Sequence, residues 1–152
     1  MNLADTAAAV GKGLFAGAVG TAAMTVSSTL EAKLRDRGSS SAPADAAGKV
    51  LGVQPRDEAG EARFSTVVHW SYGTSWGAVR GLLHAAGVHG PAGAAAHFAA
   101  VWGSAQVMLP ALDVAPPPWD SPPQEILIDA FHHAVYAAFT SLAFAALQRS
   151  SS

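Results

Sequence analysis

The chain has 152 residues, of which 50% are hydrophobic and only 13% are charged, about half the charged share of an average soluble domain. A net charge of −2 gives no electrostatic reason to expect a nucleic acid as a partner. Because the chain contains no cysteine, disulfides and thiolate chemistry are excluded.

Four long stretches contain no Asp, Glu, Lys or Arg: residues 13–30, 64–79, 81–112 and 130–148. A helix needs about 20 mostly apolar residues to cross the hydrocarbon core of a bilayer. The pattern predicts an all-α, integral membrane four-helix bundle, a single membrane domain over residues 1–152 with the lipid bilayer as its partner. The alternative is a soluble, alanine-rich bundle, but that class needs charged outer faces that these stretches do not supply.

The first predicted span covers residues 12–35 and the second covers residues 64–86. Gly13 and Gly17 in the first span, and Gly73, Gly77 and Gly81 in the second, are four residues apart. Small residues at this spacing let membrane helices approach closely, so both glycine faces are predicted to pack against neighbouring helices.

Residues 36–62, between these two spans, form a polar extramembrane loop that holds eight of the 20 charged residues. Within it, residues 43–51 could form a short amphipathic helix at the membrane interface, ending near Gly52.

The third and fourth spans are predicted over residues 91–110 and 122–148. Pro110 is expected to disturb the end of the third span. The proline-rich residues 116–123 predict an extended connector with Trp119 as an interface anchor. Ser121 is predicted to cap the fourth span, with Pro122 at its first helical position.

Ionisable side chains lead into the otherwise uncharged fourth span at Glu125, Asp129, His132, His133 and Tyr136. At about 100° per residue, these positions occupy roughly a third of the helix circumference. Such groups are costly to bury in a membrane unless they are paired, liganded or directed into a cavity. This stripe is therefore the best functional candidate in the sequence.

Two further ionisable residues are predicted at a similar depth on other helices. Glu31 lies near the end of the first span and His69 near the start of the second, and alternating topology puts both on the side of the long loop. The candidate site thus consists of Glu31, His69, Glu125, Asp129, His132 and His133.

Asp129 and His132 have the carboxylate-x-x-His spacing that occurs twice in di-iron bundles. Here it occurs once, because Thr66 stands three residues before His69, and this argues against a di-iron centre. A mononuclear zinc, iron or manganese site formed by Glu31, His69, Asp129 and His132 is chemically reasonable.

Haem held by two histidines, His69 with His132 or His133, is a second possibility for the same residues. The remaining alternatives are a hydrogen-bonded structural cluster and a group of residues that handles protons or ions.

Four ionisable residues lie toward the opposite face. His84 and His89 are interpreted as loop or interface residues, and His97 as a hydrogen-bonded core residue. Arg80 is expected to snorkel toward water from the end of its helix.

Residues 69–77 read HWSYGTSWG, residues 109–119 read LPALDVAPPPW, and residues 125–136 read EILIDAFHHAVY. Together with Glu31 and the segment AAGKVLG at 46–52, they resemble the YagU-like family of bacterial inner-membrane proteins. The resemblance covers residues 13–136 and implies a multi-span protein of the inner (plasma) membrane. It implies no reaction, cofactor or catalytic residue.

The sequence therefore favours a membrane binding or accessory protein, acting as a homo-oligomer or as a subunit of a larger complex, whose carboxylate and histidine cluster holds a metal ion or haem. A small membrane metalloenzyme and a proton or ion pathway are the alternatives. No phosphate loop, nucleophile elbow or dinucleotide motif occurs in the sequence.

Overall fold

The computed structural model describes residues 2–38 and 40–150. These residues form five α-helices and one 3₁₀ turn, and no strand occurs among them. The helices are α1 (Leu3–Leu34), α2 (Ala42–Leu51), α3 (Glu58–Ala85), α4 (Gly90–Ala111) and α5 (Pro123–Arg149), and the 3₁₀ turn is Pro118–Asp120. The predicted all-α bundle is confirmed, and the short helix predicted over residues 43–51 is α2.

Two helices start earlier than predicted because polar side chains cap them. At the start of α1, Asn2 and Asp5 form a capping box in which Asn2 Oδ1 accepts from the Asp5 amide at 2.9 Å. At the start of α3, Asp57 Oδ1 accepts from the Gly60 amide at 2.7 Å. These caps extend both helices outward from their charge-free stretches.

The proline-containing ends differ slightly from the prediction. The helix α4 includes Pro110 and ends at Ala111, because a proline in the last turn costs only one hydrogen bond. The helix α5 begins at Pro123 with Pro122 as its N-cap, so the predicted Ser121 cap was wrong by one residue.

The four long helices alternate in direction, with α1 packed between α3 and α5, and α4 packed against α5 and α3. Thr25 of α1 meets His69 of α3, and Lys12 of α1 meets Gln148 of α5. We call the end that carries α2 the α2 end. The opposite end, with both chain termini and the α3–α4 turn, is the terminal end.

Glycines form the contact between α1 and α3. A Cβ built at Gly77 would lie 2.7 Å from Gly17 Cα, and one built at Gly81 would lie 2.8 Å from Val10 Cα. A Cβ built at Gly13 would overlap the Gly77 carbonyl oxygen. The two glycine faces predicted from sequence therefore pack against each other, backbone on backbone.

Small and polar residues occupy the interior, while many large apolar residues face outward. The largest fully buried side chains are Tyr136, Phe144, His97, Thr21 and Thr140. The exposed large apolar side chains include Phe15, Val26, Leu30, Val67, Val107, Leu127, Phe131, Phe139 and Leu142. This distribution is the reverse of that in a soluble domain, where such side chains form the core.

By length and composition, α1 and α5 are apolar enough to cross a membrane, whereas α3 and α4 do not reach the same hydropathy. Two such helices are weak evidence by themselves, because the core helix of a soluble protein passes the same test. The core helix of a soluble protein is mostly buried. Here, only 33% of the most apolar 18-residue segment of α1 and 28% of that of α5 are buried.

Replacing Gly77 by Ala should destabilise the bundle, because the new methyl group would lie within 3 Å of the α1 backbone. We expect a loss on the order of 1–3 kcal/mol, as for other overpacked contacts. The matched control is Gly103→Ala on α4, where a Cβ meets nothing within 4 Å; this variant should be neutral or slightly stabilising. Thermal unfolding in detergent measures both, and equal melting temperatures for the two variants would contradict the glycine contact.

Candidate functional site

A group of charged side chains joins the end of α1 to the start of α5 at the α2 end. Arg35 Nη1 lies 3.1 Å from Glu31 Oε1 and 3.1 Å from Glu125 Oε2. Arg37 Nε donates to Glu31 Oε1 at 3.0 Å. We call these four residues and His132 the Glu31 cluster; its two guanidinium groups balance its two carboxylates. Because Arg35 bridges carboxylates on two helices, it ties α1 to α5.

His132 is the most deeply buried member of this cluster, with only 6% of its side chain exposed. Its Nδ1 lies 2.7 Å from Ser27 Oγ, while its Nε2 lies 3.7 Å from Glu31 Oε2, beyond hydrogen-bonding distance. Among the described residues, Nε2 has no hydrogen-bond partner. A buried polar atom without a partner costs about 1–3 kcal/mol, so a ligand or water that satisfies it gains that stabilisation.

Glu31 and His132 also line a cavity of about 440 Å³ between α1 and α5. Its other lining residues are Gln124, Leu127, Ile128 and Phe131. The side chains of Leu127 and Phe131 are 70% and 60% exposed, so this wall of the cavity continues onto the outer apolar surface of α5. The accessible lining of the cavity is thus almost wholly apolar, and the unpartnered His132 Nε2 is itself buried.

Asp129 faces a different neighbour, the helix α4. Its Oδ2 accepts hydrogen bonds from Trp102 Nε1 at 2.9 Å and from Gln106 Nε2 at 3.1 Å. Its Oδ1 lies 3.3 Å from His133 Nδ1, and that nitrogen also contacts the Asp129 carbonyl oxygen at 2.9 Å. The carboxylate is therefore already occupied by donors from α4 and α5, and it clamps these two helices together.

His69 stands apart from both groups. Its Nε2 lies 2.8 Å from Thr25 Oγ1, which also donates to the Thr21 carbonyl oxygen at 2.7 Å. The histidine is half-buried at the contact between α1 and α3, next to the glycine face. Its hydrogen bond is a link between helices.

The contacts thus divide the six predicted site residues into three groups instead of one. Glu31, Glu125 and His132 come together, Asp129 and His133 form a second pair, and His69 bonds to α1. In the part of the chain that the structure describes, no three His, Asp or Glu side chains are arranged to hold a metal ion. The mononuclear site predicted for four of these residues therefore lacks a shared ligand set, and haem binding stays a prediction.

Most of the partners of these residues are not predicted by the sequence. Arg35 could have been found, because it lies four residues after Glu31 and such pairs face each other on a helix. Trp102 and Gln106 are also four residues apart, but nothing in the sequence of α4 shows that this face meets Asp129. Ser27 and Thr25 carry no pattern that predicts a histidine partner.

Removing the Asp129 carboxylate should destabilise the bundle, because Trp102 and Gln106 would lose their acceptor. We expect Asp129→Ala to cost on the order of 1–3 kcal/mol and Asp129→Asn, which keeps one acceptor oxygen, to cost less. The control is Asp120→Ala at an exposed position. Melting temperatures in detergent test the order, and a wild-type value for Asp129→Ala would show that the clamp contributes nothing.

Comparison of the chain with protein-family models, curated proteins and solved structures gives no match. The resemblance to the YagU-like family therefore stays a prediction.

Proposed function

We propose that the chain is a multi-span protein of a bacterial inner membrane and that α1, α3, α4 and α5 each cross the bilayer. The exposed large apolar side chains support this, because they would contact lipid while the small and polar residues pack inside. At 1.5 Å per residue, even the 22-residue α4 is about 33 Å long, enough for a hydrocarbon core of about 30 Å.

The lower hydropathy of α3 and α4 is compatible with this topology. Their charge-free stretches contain glycine, serine, histidine and tryptophan, which lower a hydropathy average without adding formal charge. The charged residues of α3 other than Arg80 lie in its first two turns, at Glu58, Glu61 and Arg63, where they would be at the surface. Trp119, 82% exposed in the proline-rich connector, fits an interface anchor.

Within this membrane protein, we assign a binding role to the cavity of the Glu31 cluster. The observation that carries this assignment is the buried His132 Nε2, which has no hydrogen-bond partner among the described residues and belongs to a side chain that lines the cavity. A ligand that reaches it from the bilayer must pass the apolar side chains of Leu127 and Phe131. We therefore propose an amphiphilic ligand with an apolar tail and a head group that bears a hydroxyl or another hydrogen-bond donor.

The head group would be held by two acceptors. Ser27 Oγ can accept from His132 Nδ1–H, and in that tautomer Nε2 presents a lone pair to the ligand. Glu31 Oε2, 3.7 Å away, is the second acceptor. Because Arg35 and Arg37 already neutralise the carboxylates, the cluster does not require a cationic ligand.

A proton pathway is the second candidate, and it is favoured by a column of buried polar groups along the bundle. His132, Tyr136 and Thr140 are successive turns of α5, and His97 of α4 lies beside Tyr136 with ring centroids 5.5 Å apart. Arg80, buried further along the same column, opposes the passage of cations by its charge. For this reason we favour ligand binding over proton transfer.

The membrane topology can be tested with single cysteines, because the native chain has none. Val26→Cys and Leu142→Cys replace side chains that are 61% and 66% exposed. In native membranes, neither should react with a membrane-impermeant maleimide, whereas Arg56→Cys in the loop before α3 should react readily. If the bundle were soluble, all three exposed positions would react at similar rates.

The binding role can be tested with a fatty alcohol that carries a photoactivatable diazirine. In the purified protein it should label the segment around residues 124–132, and His132→Leu should reduce this labelling about tenfold, as expected for the loss of one buried hydrogen bond. The matched control is His89→Leu at the terminal end, which should leave the labelling unchanged. Equal labelling in the two variants would overturn the assignment.

A further inference from the structure

Arg80 of α3 is a buried cation at the terminal end of the bundle. Only 3% of the residue is exposed, so the expectation that it snorkels into water is wrong. Its Cζ lies 4.8 Å from the centroid of the Phe144 ring, and its Nε lies 3.3 Å from Ser141 Oγ. No carboxylate among the described residues forms an ion pair with it, and its Nη1 has no hydrogen-bond partner there.

The guanidinium group lies against the first turn of α4. Gly93 permits this contact, since a Cβ there would be 3.1 Å from both Arg80 Cζ and Nη2. The N-terminus of a helix carries partial positive charge on its free amides. In this turn these are the amides of Gly90 and Ala92, because Pro91 has no N–H and the Gly93 amide donates to the His89 carbonyl oxygen at 3.1 Å. The first turn of α4 contains no acidic residue, and His89 at its N-cap makes no capping hydrogen bond within the described chain. The Arg80 guanidinium group and the positive N-terminus of α4 are therefore adjacent, and neither has an anionic partner among the described residues.

Near Arg80, a chain of hydrogen bonds runs from Lys12 to His89 and ends in an N–H donor. Lys12 Nζ donates to Gln148 Oε1 at 2.5 Å. Gln148 Nε2 lies 2.6 Å from His84 Nε2, and His84 Nδ1 lies 2.9 Å from His89 Nδ1. If each group donates to the next, His84 Nδ1–H points to His89 Nδ1, and His89 keeps its Nε2–H as a donor. This network therefore presents N–H groups, not acceptors, to a ligand.

Among the residues that the structure describes, few negative charges balance this end of the bundle. The described residues here include the cations Lys12, Arg80 and Arg149, and the nearest carboxylate along α1 is Asp5, which is engaged in the capping box with Asn2. A buried charge without a partner is strongly destabilising, whereas the same charge bound to an anion is stabilised.

We propose that the terminal end of the bundle binds a phosphate group between Arg80, the first turn of α4 and His89. A phosphate suits this place because guanidinium and backbone N–H groups at a helix N-terminus are the donors that recognise it. Arg80 lies five residues before the end of α3, about 8 Å along the helix. In a bilayer this depth is close to the head groups, so the phosphate comes either from a phospholipid or from solution. The site is separate from the Glu31 cluster and does not depend on its ligand.

The test compares the wild-type chain with Arg80→Gln, which removes the charge, and with Arg63→Gln, which removes an exposed charge at the α2 end. Melting temperatures are measured in delipidated detergent solution alone, with inorganic phosphate, and with phosphatidylglycerol, at constant ionic strength. We expect the wild type and Arg63→Gln to gain about 5 °C with the bound anion, and Arg80→Gln to gain nothing. Without anion, Arg80→Gln should be at least as stable as the wild type.

The response to each probe identifies the source of the phosphate. A rise with inorganic phosphate indicates an anion from solution, and a rise with phosphatidylglycerol alone indicates a phospholipid. If Arg80→Gln lowers the melting temperature equally with and without anion, or if neither probe stabilises the wild type, the proposal is overturned.

A second measurement covers the case in which Arg80→Gln does not fold. Native mass spectrometry of the wild type and of His89→Ala should show retained phosphate or phosphatidylglycerol in the wild type and at least a severalfold smaller retained fraction in the variant. Equal retention in both proteins, or no retention in the wild type, would overturn the proposal.

Discussion

The close contact between the backbones of α1 and α3 is the constraint on which the rest of the structure depends. Glycines on both helices bring their axes together, so that side chains at this interface have little room unless they are small. The contact fixes the register of the two helices and thereby sets His69 opposite Thr25. Because α1 also packs along α5, the same helix carries Ser27 and Glu31 to His132. A shift of α1 by one turn would separate both histidines from their partners.

The two ends of the bundle differ in how their charges are balanced. At the α2 end, two arginines and two glutamates neutralise one another across α1 and α5. Lys49 of α2 also donates to the Leu112 carbonyl oxygen at 2.6 Å, at the C-terminus of α4. At the terminal end, cations and histidine donors lie beside the positive N-terminus of α4. This asymmetry explains why we propose an uncharged hydrogen-bonding head group for one end and a phosphate for the other.

The buried polar groups between the two ends have a structural cost that the fold only partly offsets. Tyr136 donates to the Gly73 carbonyl oxygen at 2.6 Å, and His97 Nε2 lies 3.1 Å from the Trp76 carbonyl oxygen, which satisfies these atoms across helices. Within the described residues, His97 Nδ1 and Thr140 Oγ1 have no partner. Interior polar groups of this kind restrict the helices to one arrangement, because any rotation would bring them against apolar side chains and break their hydrogen bonds.

The sequence by itself determined the helical class, the approximate C-terminal ends of the four long helices, the short α2 helix and the glycine faces, because each depends on local spacing along one helix. Depth along the helices grouped six ionisable residues into one site, of which only Glu31, Glu125 and His132 come together. The sequence did not determine which neighbouring helix each residue of the ionisable stripe on α5 faces. Positions 129 and 133 lie at one edge of the stripe, rotated by roughly 40° and 80° from the mean direction of 125, 132 and 136, and they face α4 instead of α1. The packing of helices that are far apart in the chain decides which neighbour each edge of the stripe meets. It also decides that Arg80 lies buried against α4. Only the tertiary structure contains this information.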